Sequence, residues 1–293
     1  MLHVHLFGRL SICKDDQTLV MIESRRAQEL FCYLLLYRSR SHSRELLASK
    51  LWGDITPGQS RANLRKALHQ LRQSLPGVPL LLDNDWVQIN PQAEIVLDVA
   101  LLELIFDQVS GRPGESLSDE EAQQVAAAVE CYGSDLLEDC YTDWCLFERE
   151  RLQAIYLALL DKLLARCEAH GACEAGMAYG IAILRYDRAH EQTHRRLMRL
   201  HALAGDRTTA LRQFERCVAA LREELDTEPT ELTINLRNEI RANALVAPPP
   251  ASAPLAIDRM VQNLRHTYAS LVEAQKQLHQ QIAEIERLLI QLL

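Results

Sequence analysis

No stretch of this sequence stays apolar for long. The longest such run, Leu30 to Tyr37, is far short of the roughly 18 to 20 residues that span a bilayer, so no membrane span is expected. The opening Met1-Leu2-His3-Val4 lacks the basic region and apolar core of a secretory signal. Cysteine is present at positions 13, 32, 131, 140, 145, 167, 173 and 217, yet no C-x-x-C pair occurs. Most of these thiols sit in apolar helical text, as small buried thiols do in a reducing compartment; the expectation is a cytoplasmic chain with neither a zinc knuckle nor a disulfide frame. No G-x-x-x-x-G-K-[ST] is found, which excludes a P-loop ATPase, and nothing has the look of a phosphate-accepting receiver domain. What is present is a chain of 293 residues with 48% hydrophobic content, enough for two ordinary domains plus an appendage.

The net charge of −8 conceals an asymmetry. Residues 1–97 carry 12 Lys/Arg against 9 Asp/Glu, and residues 98–293 carry 20 against 31. Residues 24–75 concentrate the excess: ten cations (Arg25, Arg26, Arg38, Arg40, Arg44, Lys50, Arg61, Arg65, Lys66, Arg72) face only Glu29, Glu45 and Asp54. A local charge of +7 fits a polyanionic partner or a solvated surface equally well, so periodicity has to decide.

The N-terminal text is strand-like at His3 to Phe7, Leu10 to Cys13 and Leu19 to Ile22. From Ser24, an N-cap residue type, Ala27, Leu30, Phe31, Leu34 and Leu35 follow the helical period. A shorter helix from Ser43 is expected to bury Leu46, Leu47, Leu51 and Trp52 before Gly53 ends it. The third runs from about Pro57 to Leu75, with Leu64, Ala67, Leu68, Leu71 and Leu75 as its buried stripe. Arg61, Arg65, His69 and Arg72 stand on the other face, flanked by Asn63, Lys66, Gln70 and Gln73, without one acid. These side chains reach guanine, adenine and phosphate when a helix lies in a major groove, whereas a helix kept only for solubility mixes in Glu. Leu80-Leu81-Leu82, the turn Asp83-Asn84-Asp85 and Trp86 to Ile89 read as a hairpin. Sheet, three helices and hairpin make a winged helix-turn-helix in which Arg44, Asn84 and Trp86 would set the third helix on the DNA backbone.

Leu6-Phe7-Gly8, Arg25-Arg26-Ala27, Ser43-Arg44-Glu45-Leu46-Leu47, Leu51-Trp52-Gly53-Asp54 and Arg61 to Leu68 together resemble the DNA-binding half of the Streptomyces antibiotic regulatory protein family, whose winged helix is of the OmpR type. Leu97-Asp98-Val99 resembles the entry to that family's bacterial transcriptional activator domain. Tyr132-Gly133-x-x-Leu136-Leu137, Leu197-Met198 with Gly205-Asp206, and Leu221 to Leu225 with Glu228-Pro229-Thr230 resemble its body. The resemblance covers about residues 1–243 and departs at Asp226, where the family is expected to have Gly. It implies a DNA-binding activator without the ATPase module of larger relatives, acting on double-stranded DNA and RNA polymerase.

The second half is helical on its own periodicity: Val99 to Val109, Glu121 to Cys131, Trp144 to His170, Ala172 to Leu184, His190 to Ala204, Thr208 to Leu225 and Thr230 to Arg241. Gly171 and Gly205 lie 34 apart, the tetratricopeptide period. Between Arg112 and Arg149 there is no Lys or Arg while ten acids accumulate, a surface suited to a basic partner or simply a solvated face.

Some residues point toward enzymology. His190-Glu191-Gln192-Thr193-His194 is a literal H-E-x-x-H, in which two histidines one turn apart could hold zinc. Leu197 stands where the extended motif needs Gly, His201 falls one residue beyond its third ligand, Glu215 is only roughly where a carboxylate ligand would fall, and the segment must pack as a repeat helix. No metal, cofactor or catalytic residue is expected, and His194→Ala should leave folding nearly intact. His3 and His5 lack a third ligand, and Cys140 and Cys145 beside Trp144 read as structural thiols.

Val246 to Pro254 cannot continue a helix, because each Pro removes a donor and fixes an extended predecessor. Beyond it Ile257, Leu264, Leu271, Leu278, Ile285 and Leu292 repeat every seven residues, interleaved by Val261, Tyr268, Gln275, Ile282 and Leu289. This is a coiled-coil seam, with Gln275 as a register-fixing polar position, and suits a homo-oligomer, a parallel dimer being favoured. The expected architecture is therefore mainly α: an α+β winged helix at 1–97, an all-α tetratricopeptide-like domain at 98–243, a Pro-rich linker at 244–254 and a coiled-coil helix at 255–293. Two functions fit, a sequence-specific DNA-binding activator and a helical-repeat scaffold or ligand sensor whose winged helix binds protein; the acid-free third helix favours the first.

Overall fold

The computed structural model describes residues 1–14, 18–75 and 80–244. The chain begins with β1 (Leu2–His5), β2 (Ser11–Lys14) and β3 (Thr18–Leu19), antiparallel neighbours in the order of the chain. Helix α1 (Arg25–Leu36) starts where Ser24 accepts from the Ala27 N–H, the N-cap that its residue type predicts. A two-residue strand β4 (His42–Ser43) leads into α2 (Arg44–Leu51), then α3 (Pro57–Ser74) and the hairpin β5 (Leu80–Leu82) and β6 (Trp86–Ile89). A further strand, β7 (Ile95–Leu97), returns to the first sheet and pairs parallel to β1, giving the order β3-β2-β1-β7. The remainder is helical: α4 (Asp98–Val109), α5 (Asp119–Cys131), α6 (Asp143–His170), α7 (Cys173–Tyr186), α8 (Glu191–Leu203), α9 (Arg207–Leu225) and α10 (Glu231–Ala242). No helix among the described residues is long and apolar enough to cross a membrane.

The two halves share one core. Buried side chains run without interruption from Val4 and Leu6 through Phe31, Leu71 and Val87 to Leu102, Leu152 and Leu163. This explains why Leu30 to Leu36 of α1 are apolar all round: α3 covers one side, and the helical half covers another through an edge-on contact of Tyr33 with Trp144, ring centroids 5.3 Å apart. The seam is also hydrogen-bonded. Asp98 accepts from the N–H of Leu6, Phe7 and Val99 at 2.8, 3.0 and 2.7 Å, while the Leu137 and Glu138 N–H donate to the Leu6 and Gly8 carbonyls at 2.9 Å. Arg149 donates to three carbonyls of that same turn, those of Leu136, Leu137 and Cys140, and so holds Leu137 in a left-handed conformation (φ 44°) that a leucine otherwise avoids.

Helix α6 is the spine of the helical half. At Gly114 the chain passes so close to it that a Cβ would stand 2.2 Å from the Lys162 carbonyl. From α6 onward each helix packs on the next, and Met198, Ala210, Leu236 and Ile240 make a separate small core at the far end. Gly171 and Gly205 end helices with φ of 69° and 83°. Asp226 occupies the same left-handed cap after α9 with φ 51°, so the position that departs from the family's expected Gly keeps the glycine-like turn.

One sequence expectation fails in α2. Its inner face is Leu47, Ala48 and Leu51, while Leu46 is 70% exposed and Trp52 only partly buried. Helix α2 is covered on one side only, by α3, so Leu47 rather than its neighbour Leu46 points inward.

Candidate nucleic-acid interface

Helix α3 is fixed at its start by Ser60, whose buried hydroxyl donates to the Trp52 carbonyl at 2.8 Å, tying the α2–α3 turn shut. Pro57 lies in the first turn, where its missing N–H costs nothing. Leu64, Ala67, Leu68 and Leu71 are buried, with Leu75 just beyond the helix. Arg61, Arg65, Lys66, His69 and Arg72 are consequently exposed, and Asn63 is half-buried at the edge of the same face.

The ion pairing divides the ten cations of residues 24–75 into two groups. Those of α1 and its C-terminal end are engaged: Arg25 donates to the Asp139 carbonyl at 2.7 Å, Arg26 pairs with Glu29, Arg38 pairs with Glu103 at 2.9 Å, and Arg40 lies over the Tyr37 ring. Glu103 also takes Arg151, which pairs in turn with Glu148, and Tyr37 donates its hydroxyl to Glu148. On α2 and α3, by contrast, Arg44, Lys50, Arg61, Arg65, Lys66 and Arg72 form no ion pair among the described residues. Lys50 stands over the Tyr33 ring, and Arg61 reaches only the Pro57 carbonyl of its own helix. No carboxylate among the described residues neutralises these six charges.

The hairpin stands beside this surface. β6 pairs with β5 on one side and with β4 on the other, Ser43 opposite Trp86. Trp86 is 48% and Leu81 51% exposed, so the hairpin turns two large apolar side chains outward. Asn84 is exposed at the tip between the equally exposed Asp83 and Asp85. Arg44 is half-buried, and its Nε is buried without a hydrogen-bond partner among the described residues. Strand β4 and the closing hydroxyl of Ser60 were not anticipated. Two residues carry no alternation to read, and only Ser60's place before Arg61 hints at its role.

His190, Glu191 and His194 are committed elsewhere. Glu191 accepts from the Thr230 N–H and hydroxyl at 2.8 and 2.7 Å and from the Thr233 hydroxyl, and pairs with Arg195. His190 bonds Thr193, while His194, fully buried, joins the Arg188 carbonyl at 2.9 Å to the Gln213 amide at 2.8 Å. His194→Ala would leave the buried Gln213 amide without this partner, a cost to stability that the sequence expectation of nearly intact folding did not include. Cys145 is buried beside half-buried Cys140, whose thiol is held down to about 6 by the Cys145 thiol and the Thr142 hydroxyl. His42 bonds the Tyr37 carbonyl at 3.0 Å, and burial lowers its pKa.

Residues 97–241 match the bacterial transcriptional activator domain. The structure of Mycobacterium tuberculosis EmbR in complex with a low-affinity phosphopeptide superposes with a TM-score of 0.64 at 20% identity, covering 90% of this chain and 71% of that one. No curated protein matches the chain by sequence. The acid-free third helix and its hairpin thus stand in front of a bacterial transcriptional activator domain, which this chain carries over residues 97–241.

Proposed function

We propose that this regulator is an activator that binds double-stranded DNA by laying α3 in the major groove. The carrying observation is that Arg61, Arg65, Lys66 and Arg72 are exposed on one helix with no carboxylate to neutralise them among the described residues. Arg65 and Arg61, with Asn63 and His69, are suited to base edges; Lys66 and Arg72 are suited to phosphates. Arg44 joins the backbone contact. At the hairpin the carboxylates of Asp83 and Asp85 oppose phosphate, which leaves the Asn84 amide and the Trp86 face as its contacting groups. The helical domain serves contacts to RNA polymerase, and the chain works where DNA is, in the cytoplasm. The C-terminal segment with the seven-residue repeat is proposed to dimerise the regulator so that it reads paired half-sites.

The test is a mobility-shift titration of the preferred operator with Arg61→Ala and Arg65→Ala. Each loss of a base-reading arginine should cost about 1–3 kcal/mol and relax specificity at one position. Wild-type affinity in both variants would remove α3 from the groove and favour a winged helix that binds protein.

A further inference from the structure

Helices α7, α8 and α9 form an open pocket of about 340 Å³, lined by none of the residues assigned to the DNA-binding surface. Its walls are apolar: Ile181 and Leu184 from α7, Leu197 from α8 and Ala220 from α9. Its remaining lining is cationic or imidazole, Arg185, Arg188 and Arg216 with His194 and His201, together with the amide of Gln213. There is no carboxylate in it, although residues 98–293 carry 31 acids against 20 cations.

Beneath the arginines lies a buried hydrogen-bond chain whose polarity can be worked out. The Arg188 carbonyl can only accept, so His194 donates to it from Nε2. His194 Nδ1 must then accept from the Gln213 amide, which leaves Gln213 Oε1 to accept from Arg216 at 3.3 Å. His194 and Gln213 are each 3% exposed, and burial lowers the His194 pKa, which agrees with a neutral ring in this chain. One end of the relay thus holds the Arg216 guanidinium at the cavity, and the other holds the backbone of Arg188. Arg188 has exposed partners in Glu223 at 3.1 Å and Glu224 at 3.5 Å. Arg185 and Arg216 have no carboxylate partner among the described residues.

A guanidinium cluster over apolar walls, two of its three members without a carboxylate partner among the described residues, is complementary to an oxyanion on an apolar body. We propose that this cavity is a binding site for a small amphipathic acid, its carboxylate or phosphate held by Arg185, Arg216 and Arg188 and its apolar part against Ile181, Leu184 and Leu197. The H-E-x-x-H text is absorbed here: its second histidine is the middle of the relay that orients Arg216.

The full chain would be titrated calorimetrically with octanoate, octyl phosphate, inorganic phosphate and octanol. Octanoate or octyl phosphate should bind saturably at one site, and which binds tighter distinguishes carboxylate from phosphate recognition. Octanol should bind at least tenfold more weakly. Arg185→Gln/Arg216→Gln should weaken the anion at least tenfold, and so should Ile181→Glu, an exposed position where a carboxylate enters the cavity without disturbing the core. Equal binding of octanol and octanoate, undiminished binding in both variants, or no saturable binding by either octyl anion would each overturn the site. The assay contains no DNA, so it fails or succeeds separately from the groove assignment.

Discussion

The backbone N–H of Arg44 donates to the carbonyl of Asp85 at 2.9 Å, so the first residue of α2 and the last residue of the hairpin turn are one mechanical unit. Arg44 is the cation nearest that joint, and its Nε lies buried without a partner among the described residues. Arg44→Ala should therefore weaken binding by the same factor on specific and random duplexes, and lower the slope of log K against log salt by about one. A loss confined to the specific site would make Arg44 a base reader instead.

Leu46 and Leu71 predict opposite outcomes from the same substitution. Leu71 is fully buried in the shared core, and Leu71→Ala should cost about 2–5 kcal/mol in urea denaturation. Leu46→Ala should change stability by less than about 0.5 kcal/mol. If Leu46 then proved to weaken DNA or partner binding, its outward position would have a use that the isolated chain does not need.

Burial lowers the pKa of His42, His194 and His201 below their ordinary 6.5. Below about pH 6.5 the unfolded chain takes up protons that the folded chain refuses, so stability falls as pH drops through that window and is flat above it. Each such group contributes up to about 1.4 kcal/mol per pH unit. Urea midpoints from pH 7.5 to 5.5 should follow this slope, and His194→Gln should flatten it. An unchanged slope in that variant would mean that the His194–Gln213 pair is not kept neutral.

Residues 257–292, which carry the seven-residue repeat, lie outside the described residues. Sedimentation of the full chain should show an oligomer, and a chain ending near Leu245 should be a monomer with weaker operator binding. A full-length monomer at micromolar concentration would sink the dimer.

Helix α3 was legible because its two faces differ in kind, four leucines and alanines against four strong cations, and a pattern of 3.6 survives any neighbour. The helices from α4 to α10 were legible for the same reason, their ends marked by Gly171, Gly205 and Pro229. Strands β4 and β7 were not. They are two and three residues long, and β7 finds its partner more than ninety positions earlier in the chain. Leu46 was misread because a helix of two turns gives too few positions to fix its phase. At the candidate site the residue types could be read, but the division between engaged and unengaged arginines could not, since Glu103 and Asp139 come from the other half of the chain. The cavity's relay was hidden for a similar reason: His194 and Gln213 meet across two helices nineteen positions apart.

The parallel pairing of β1 with β7, and of Leu6 and Gly8 with the turn at Leu137, has a consequence for how the chain is made. The first strand leaves the ribosome early, yet its second neighbour follows only at Ile95–Leu97, and the carbonyls of Leu6 and Gly8 wait until residues 137 and 138 have emerged. Val4 and Leu6 belong to the core that both halves share, which is complete only when the helical half is present. During synthesis the N-terminal segment is thus a sticky edge in search of a partner, and the reading head is completed by the helical half that it precedes. A nascent chain stalled before α6 would present its arginines on an unfinished frame, so the regulator does not become competent piecemeal.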